Sequence, residues 1–259
     1  DFMPKLLHGG ADELLSLMCL ARPLDQVPLL LAPAMNREMW AHPATQRNLG
    51  QLAADGATIL GVGSGYQACG ETGDGRMSEP QELLEDLIAF FQPKVLAGQQ
   101  VLITAGPTFE ALDPVRGITN LSSGKMGFAI ARAAREAGAD VTLIAGPVAL
   151  PTPRGVRRVD VVSALNMHVA GVQLARAATI FIATAAVADW RPATAADQKM
   201  KKDGSGAAPQ LSFVENPDIL AAVAGLSTPP YCVGFAAESE RLREYARAKM
   251  LRKRVPLIV

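Results

Sequence analysis

Short continuous apolar runs and longer stretches of helical period take turns along this chain. "VPLLLAP" (27–33) has the uninterrupted apolar character of a strand buried on both faces. The following "PATQRNLGQLAADG" reads as a helix and "ATILGV" as the next strand. In "EPQELLEDLIAFF" (79–91), Leu83, Leu84, Leu87, Ile88 and Phe91 recur at helical spacing behind an acidic start. The opening "DFMPKLLHGGADELLSLMCLA" is also helical in character, whereas "QPKVLAGQ" (92–99) breaks the rhythm with proline and glycine. A fresh series begins with the strand "QVLITAG" (100–106), followed by a helix over about 124–137. "ADVTLIAGP" and "VRRVDVV" come next, then a helix over about 163–178 and the strand "ATIFIATAAVADW". "QLSFVE" and "PYCVGFAAE" are further strand candidates, with the helix "NPDILAAVAG" between them.

Strands alternating with helices predict an α/β protein with doubly wound, mostly parallel sheets. Ligands of such sheets sit beyond the carboxyl ends of the strands. That rule selects four loops: 106–124, 146–155, 185–202 and 235–240. The stretch "KMKKDGSGAAPQ" (199–210) reads as a polar, mobile loop. The chain opens without methionine and closes on the strand-like "KRVPLIV", which points to a piece of a longer protein.

Composition narrows the function classes. Of 259 residues, 25 are basic and 25 acidic, so no bulk field favours nucleic acid or an anionic membrane. No apolar run approaches the roughly 18 residues of a membrane span, and no signal peptide is visible. Cys19, Cys69 and Cys232 are far apart and form no C-x-x-C pair. Neither a disulfide framework nor a zinc site is expected, and a cytoplasmic location fits. His8, His42 and His168 are equally scattered, so a protein-built metal cluster is not expected.

Four stretches carry candidate chemistry. "ITNLSSGKMGFAIARA" (118–133) lacks the spacing and the hydroxyl of a P-loop. It still predicts a helix start capped by Ser122 or Ser123, whose free amides attract anions. "ATAAVADWRPATAADQKMKK" (183–202) places Asp189 and Arg191 just beyond a strand, then gathers Lys199, Lys201 and Lys202. Three lysines suit a polyphosphate as mobile point charges, against the plainer reading of a solvated loop. The coincidence of both stretches at one sheet end favours a bound anion. "GYQACGETGDGRM" (65–77) surrounds Cys69 with glycines that let backbone close over a ligand. The thiol there is a candidate proton donor or nucleophile, or an inert member of a turn. "APAMNREMW" (32–40) offers the Asn36 amide as donor and acceptor, or simply a Met/Trp packing motif.

Together these motifs resemble those of the bacterial bifunctional phosphopantothenoylcysteine decarboxylase / phosphopantothenate–cysteine ligases of coenzyme A biosynthesis. "APAMNREMW" and "ACGETGDGRM" resemble the decarboxylase motifs. "VLITAGPTFEALDPVRGITNLSSGKMG", "AAVADWRP", "KMKK", "ENPDIL" and "VGFAAE" follow in the order of the ligase half. The resemblance implies part of a flavodoxin-like decarboxylase domain over 1–92, a linker over 93–99 and a Rossmann-like ligase domain over 100–259. It places the family's catalytic histidine and much of its flavin contact before residue 1, and further ligase residues after Val259. It implies FMN in the first part, with Asn36 and Arg76 holding substrate and Cys69 supplying a proton. In the second part it implies CTP as co-substrate, an acyl-cytidylate intermediate, Mg²⁺ held mainly by triphosphate oxygens and water, and Asp189 as reader of the cytosine or ribose and the one candidate protein contact of the ion. Asn120, Ser122 and Lys125 would bind the substrate, Arg116 would promote the second step, and Lys199 would stabilise the phosphates. Asp189, Pro217, Asp218, Ile219, Leu220, Phe235, Lys249 and Lys253 would contact the nucleotide. The implied small molecules are 4'-phosphopantothenate and L-cysteine; the implied assembly is a ligase homodimer within a larger homo-oligomer. The competing reading is an NAD(P)-dependent Rossmann-fold oxidoreductase using "ITAGPT" as its dinucleotide turn, against which residues 104–109 lack G-x-G-x-x-G.

Overall fold

The computed structural model describes residues 2–201, 210–236 and 241–259. Lys202, and Ala237 and Glu238 of "VGFAAE", lie outside them. The chain divides into two compact units, Asp1–Phe90 and Phe91–Val259.

In the first unit, α1 (Phe2–Leu7) and α2 (Leu14–Ala21) are separate helices, divided at Gly9. β1 (Leu30–Leu31) pairs in parallel with β2 (Thr58–Ile59), and α3 (Arg37–Ala41) and α4 (Pro43–Ala54) run between them. Both strands are shorter than their apolar runs. Pro28 and Pro33 bracket β1, and proline has no N–H for a ladder. The glycine-rich stretch forms an antiparallel hairpin of β3 (Gly63–Tyr66) and β4 (Thr72–Arg76), with a register shift between Gly63 and Ser64, followed by α5 (Pro80–Phe91). Leu49, Leu52, Ala57 and Leu60 are buried. Along α2, by contrast, Leu14, Leu15, Leu17, Met18 and Leu20 are exposed and Ser16 is buried.

The second unit is built on β5 (Gln100–Ala105), from which the chain makes a hairpin of β6 (Phe109–Asp113) and β7 (Arg116–Thr119). α6 (Lys125–Glu136), β8 (Asp140–Ala145), β9 (Val156–Asp160), α7 (Ala164–Ala175) and β10 (Ile180–Ala183) follow. Then come β11 (Trp190–Pro192), β12 (Phe213–Glu215), α8 (Ile219–Ala224), β13 (Tyr231–Gly234), α9 (Leu242–Lys253) and β14 (Leu257–Ile258). The main sheet has the order β14-β13-β10-β5-β8-β9 and is parallel throughout. Successive side chains of β5 point to opposite faces, so Val101, Ile103 and Ala105 join Phe128, Ala131 and Leu143 on one side. Leu102 joins Ile144, Met167, Phe181, Val223 and Cys232 on the other. Burial on both faces explains why these strands read as unbroken apolar runs. It also pushes the Cys232 thiol up to about 11.

Three local expectations change. The stretch 109–119 is a hairpin rather than an irregular loop. "QLSFVE" supplies β12, which pairs antiparallel with β11 outside the main sheet. And α6 is capped by Gly124, whose φ of +74° suits glycine, instead of by a serine. The Ser122 and Ser123 hydroxyls lie 3.4 and 3.5 Å from the Gly124 and Lys125 amides, at the limit of hydrogen bonding. Residues 93–99 are docked on the second unit: Leu96 N–H donates to the Ala137 carbonyl and Lys94 Nζ to that of Glu136. Among the described residues, no helix is long and apolar enough to cross a membrane.

Candidate functional site

From β5 the chain builds the sheet outward through β8 and β9, then returns to the other side of β5 with β10. This reversal leaves a crevice beyond the carboxyl ends of β5 and β10, the place where open α/β sheets bind ligands. A cleft of about 250 Å³ lies there, reaching from Thr104 and Ala183 to Asp189, the 215–220 segment, Phe235 and α9. Asp189, Pro217, Asp218, Ile219, Leu220, Phe235, Lys249 and Lys253 all line it.

Local chemistry fixes each wall. The Asn216 N–H donates to the Asp189 carbonyl and its side-chain Nδ2 to the Ala188 carbonyl, both at 2.8 Å. Arg191 donates to Asn216 Oδ1 and to the Glu215 carbonyl. Buried Asn216 therefore welds the loop after β10 to the start of α8, a role that its sequence setting did not disclose. Asp218 caps α8 by accepting from the Ala221 N–H at 3.0 Å and pairs with Lys253 at 2.9 Å. Burial raises its carboxyl, but the Ala221 N–H and Lys253 outweigh that and hold it below the ordinary carboxylate range. Lys249, one turn before Lys253, donates to the Phe235 carbonyl at 2.6 Å. The Asp189 carboxylate is exposed and has no protein partner among the described residues. The cleft thus combines two cations, an apolar side and two acids, Asp189 and Glu215, whose carboxylates have no partner among the described residues.

A second group lies around the start of α6. Asn120 Nδ2 donates to the carbonyl of Ala186, whose neighbours Ala185 and Val187 line the cleft. Thr108 Oγ1 accepts from the Ala188 N–H, and the Thr108 carbonyl from Thr119 Oγ1. Helix α6 approaches the strand ends closely because Gly127 has no side chain; a Cβ there would lie 2.4 Å from Thr184 Oγ1. Ser122 and Lys125 flank the Gly124 cap, which has no side chain to close off the helix amides; the Ser123 hydroxyl approaches the first of them at 3.5 Å. Neither lines the cleft, nor do Arg116 and Lys199. Arg116 forks onto Asp113, with Nε and Nη2 at 2.9 and 2.5 Å from Oδ2. Lys199 and Lys201 are exposed on either side of Met200.

In the first unit, Asn36 caps α3 by accepting from the Met39 N–H at 2.8 Å. Buried Gln67 accepts from the Arg37 N–H at 2.9 Å and donates to the Asp74 carbonyl at 3.0 Å. Met35 N–H donates to the Gly75 carbonyl. Gly75, at φ +115°, packs so closely that a Cβ would lie 2.6 Å from the Met35 carbonyl oxygen. The Asn36 loop and the Cys69 hairpin are therefore one structure. Cys69 is exposed, with Sγ 3.7 Å from both Gln67 Oε1 and Glu71 Oε2. Arg76 pairs with Glu79.

The strand order and the crevice at its reversal define a doubly wound, Rossmann-like α/β protein for the second unit. The chain belongs to the DNA/pantothenate metabolism flavoprotein family: that family's C-terminal domain matches residues 96–259, and the Flavoprotein family matches residues 1–92. It is 51% identical over 259 residues to the coenzyme A biosynthesis bifunctional protein CoaBC of Vibrio cholerae, covering 100% of this chain and 64% of that protein. The Bacillus subtilis protein of that name is 43% identical over 259 residues, with 98% and 63% covered. The chain thus spans just under two thirds of the length of these relatives. Among solved structures, the C-terminal domain of a CoaBC protein is 41% identical at a TM-score of 0.56, covering 63% of this chain and 77% of that one. A DNA/pantothenate metabolism flavoprotein from Streptococcus pneumoniae, at 23% identity and a TM-score of 0.55, covers 62% and 81% and shares the fold.

Proposed function

We propose that this chain belongs to a bifunctional enzyme of coenzyme A biosynthesis and that its second unit joins 4'-phosphopantothenate to L-cysteine at the expense of CTP. One observation carries the reading: Asp189, the 217–220 segment, Phe235, Lys249 and Lys253 converge on one cleft at the switch point of the sheet. In the first half-reaction the substrate carboxylate oxygen attacks the α-phosphorus of CTP. The α–β phosphoanhydride breaks, pyrophosphate leaves, and an acyl-cytidylate remains. The cysteine amine then attacks the acyl carbon, loses a proton and displaces CMP. A carboxylate needs this activation because its oxygen is a poor leaving group and CMP is a good one.

The proposed roles join the cleft's lining with what the family resemblance implies. Lys249 and Lys253 offer positive charge at the cleft for the polyphosphate, and Lys199 adds charge from the loop beyond it. The start of α6, with Ser122 and Lys125, presents amides and a cation to an anionic substrate. Asn120 faces the acyl end, and Arg116 promotes the second step. Mg²⁺, when bound, neutralises triphosphate charge. Asp189 fits that ion, since its carboxylate has no protein partner among the described residues. The same reading carries the domain limits 1–92 and 100–259, a ligase homodimer, a larger homo-oligomer of the full-length protein and a cytoplasmic location.

FMN-dependent decarboxylation of phosphopantothenoylcysteine to 4'-phosphopantetheine is the proposed partner activity, with Asn36, Cys69 and Arg76 on the substrate side. The described residues do not fit the whole flavin. The starts of α3 and α4 are each closed by the protein's own side chains, Asn36 and His42, so these two provide no open amide cradle for a flavin phosphate. No step is assigned to the flavin in this chain.

A thermal-shift series on the full-length protein with Mg²⁺ tests the ligase reading. CTP should raise Tm more than ATP, and NADP should leave it unchanged, since ligand at 100 times its Kd adds about 2.7 kcal/mol. A larger shift with NADP than with CTP would sink the ligase reading.

A further inference from the structure

The loop that carries Lys199 is gripped by a turn far away in sequence. Asp113, at the end of β6, has a fully buried side chain. Its Oδ1 accepts the Val115 and Arg116 N–H groups, each at 2.9 Å, which shapes the tight turn before β7. Its Oδ2 accepts the Arg116 guanidinium and also the Met200 N–H at 3.1 Å. Arg116 Nη2 in turn donates to the Met200 carbonyl at 2.6 Å. Both polar groups of the Met200 backbone are thus held by one ion pair. A further bond, from the Ala196 N–H to the Leu112 carbonyl at 2.9 Å, ties the same loop to the same hairpin. Lys199 and Lys201 flank the gripped residue, and neither has an anchor of its own among the described residues.

We infer that Asp113 is a positioning residue: with Arg116 it latches the Met200 peptide and so fixes where Lys199 delivers its charge. The site served is the one read above as the nucleotide site, and the inference rests on that reading for its chemistry. It gives Arg116 a part that is separate from contact with substrate. A buried carboxylate is kept ionised only where donors surround it. Here five donated bonds do so, and one of the donors belongs to the lysine loop. Burial pushes the Asp113 carboxyl up, but Arg116 and the Val115 and Met200 N–H groups more than offset it, leaving it at about 2. The latch is therefore charged throughout the neutral range.

Asp113→Asn tests this in the full-length protein. The substitution keeps an oxygen for the turn but faces Met200 and Arg116 with a donor. Hydrogen exchange of the 197–201 segment should accelerate while the β5 and β8 strands stay protected. Pyrophosphate release from CTP should fall roughly 10- to 100-fold, the scale of a slightly misplaced group. In a Lys199→Gln background the same change should cost less than about twofold, because coupled residues do not contribute independently. A general loss of structure would instead multiply the two defects and overturn the inference. Should Asp113→Asn fail to fold, Arg116→Lys keeps the charge beside Asp113, loses the fork onto the Met200 carbonyl, and should also speed exchange. Unaltered exchange at 197–201 overturns the latch. A wild-type protein that releases no pyrophosphate sinks the ligase reading, and the exchange result then decides the latch by itself.

Discussion

Both units commit most of their polar motif residues to protein partners, Asn120, Arg116, Asp218 and Lys249 of the second included, and they differ in what is left over. In the first, Asn36 is committed to the cap of α3, Gln67 to the Arg37 amide and the β4 carbonyls, and Arg76 to Glu79. In the second, Asp189 is uncommitted, and the residue that holds its loop, Asn216, is a different one. The separation of support from presentation goes with the size of the core. A six-stranded sheet covered on both faces can hold its strand ends with backbone and buried side chains. A unit whose parallel strands pair over two residues each relies on its motif side chains for its shape. Chemical readiness at a motif therefore depends on what else keeps the backbone in place.

That contrast can be broken at its base. Phe181 is fully buried between the sheet and the helices on its second face, so Phe181→Ala should cost about 3–5 kcal/mol in denaturant unfolding of the second unit. A loss below 1 kcal/mol would show that the core is not what holds the strand ends. Lys199→Gln should come next. Loss of a preorganised stabiliser of developing charge lowers rates by roughly 10²- to 10³-fold. Pyrophosphate release, followed separately from CMP release, should carry the whole defect; a defect confined to the cysteine-dependent step would reassign the lysine. Gly127→Ala forces a methyl against Thr184 and Ala105, and overpacking of this kind costs about 1–3 kcal/mol. Its thermal shift should be visible without CTP present.

Smaller effects sharpen the first unit. Asn36→Ala should cost about 1 kcal/mol as a lost cap, and Asn36→Asp should restore that stability because aspartate caps equally well. A protein that keeps its Tm with Asn36→Asp yet loses substrate binding would separate the amide's two duties. A further effect is set by pH. The Asp113 carboxyl sits at about 2 in the folded chain, below its ordinary 3.8. A depressed carboxylate stabilises the fold above its unfolded pKa, and that contribution disappears as pH falls from about 4 to about 2. Acid unfolding curves of wild type and Asp113→Asn should converge across that window.

The sequence disclosed the sheet strands best. "VLIT", "VTLIA" and "IFIA" are unbroken because both faces of each strand are covered. It disclosed which loops follow strand ends, and hence Asp189, whereas the 217–220 segment came from the family resemblance alone. It did not disclose the β6–β7 hairpin, whose "FEALDPVRGIT" carries acids and a proline between two short strands. An aspartate followed by proline is a recognisable turn signal, yet its reach to Met200 crosses 87 positions of sequence. Asn216 reaches Ala188 across 28. Long-range bonds of this type leave no periodicity behind, so a reading by local pattern finds the groups that face a ligand and misses those that aim them.

The burial of Cys232 has a practical consequence for anyone wishing to watch this molecule. With its thiol pushed up to about 11, roughly one molecule in a thousand carries the nucleophilic thiolate at pH 8, and the sulfur is shut in behind the sheet. The exposed thiol of Cys69 and the half-buried one of Cys19 both belong to the first unit. A maleimide dye added to the native chain should therefore colour the first unit and leave the second dark. Binding of a small molecule to the second unit could then be followed with that unit unlabelled and with no cysteine removed beforehand.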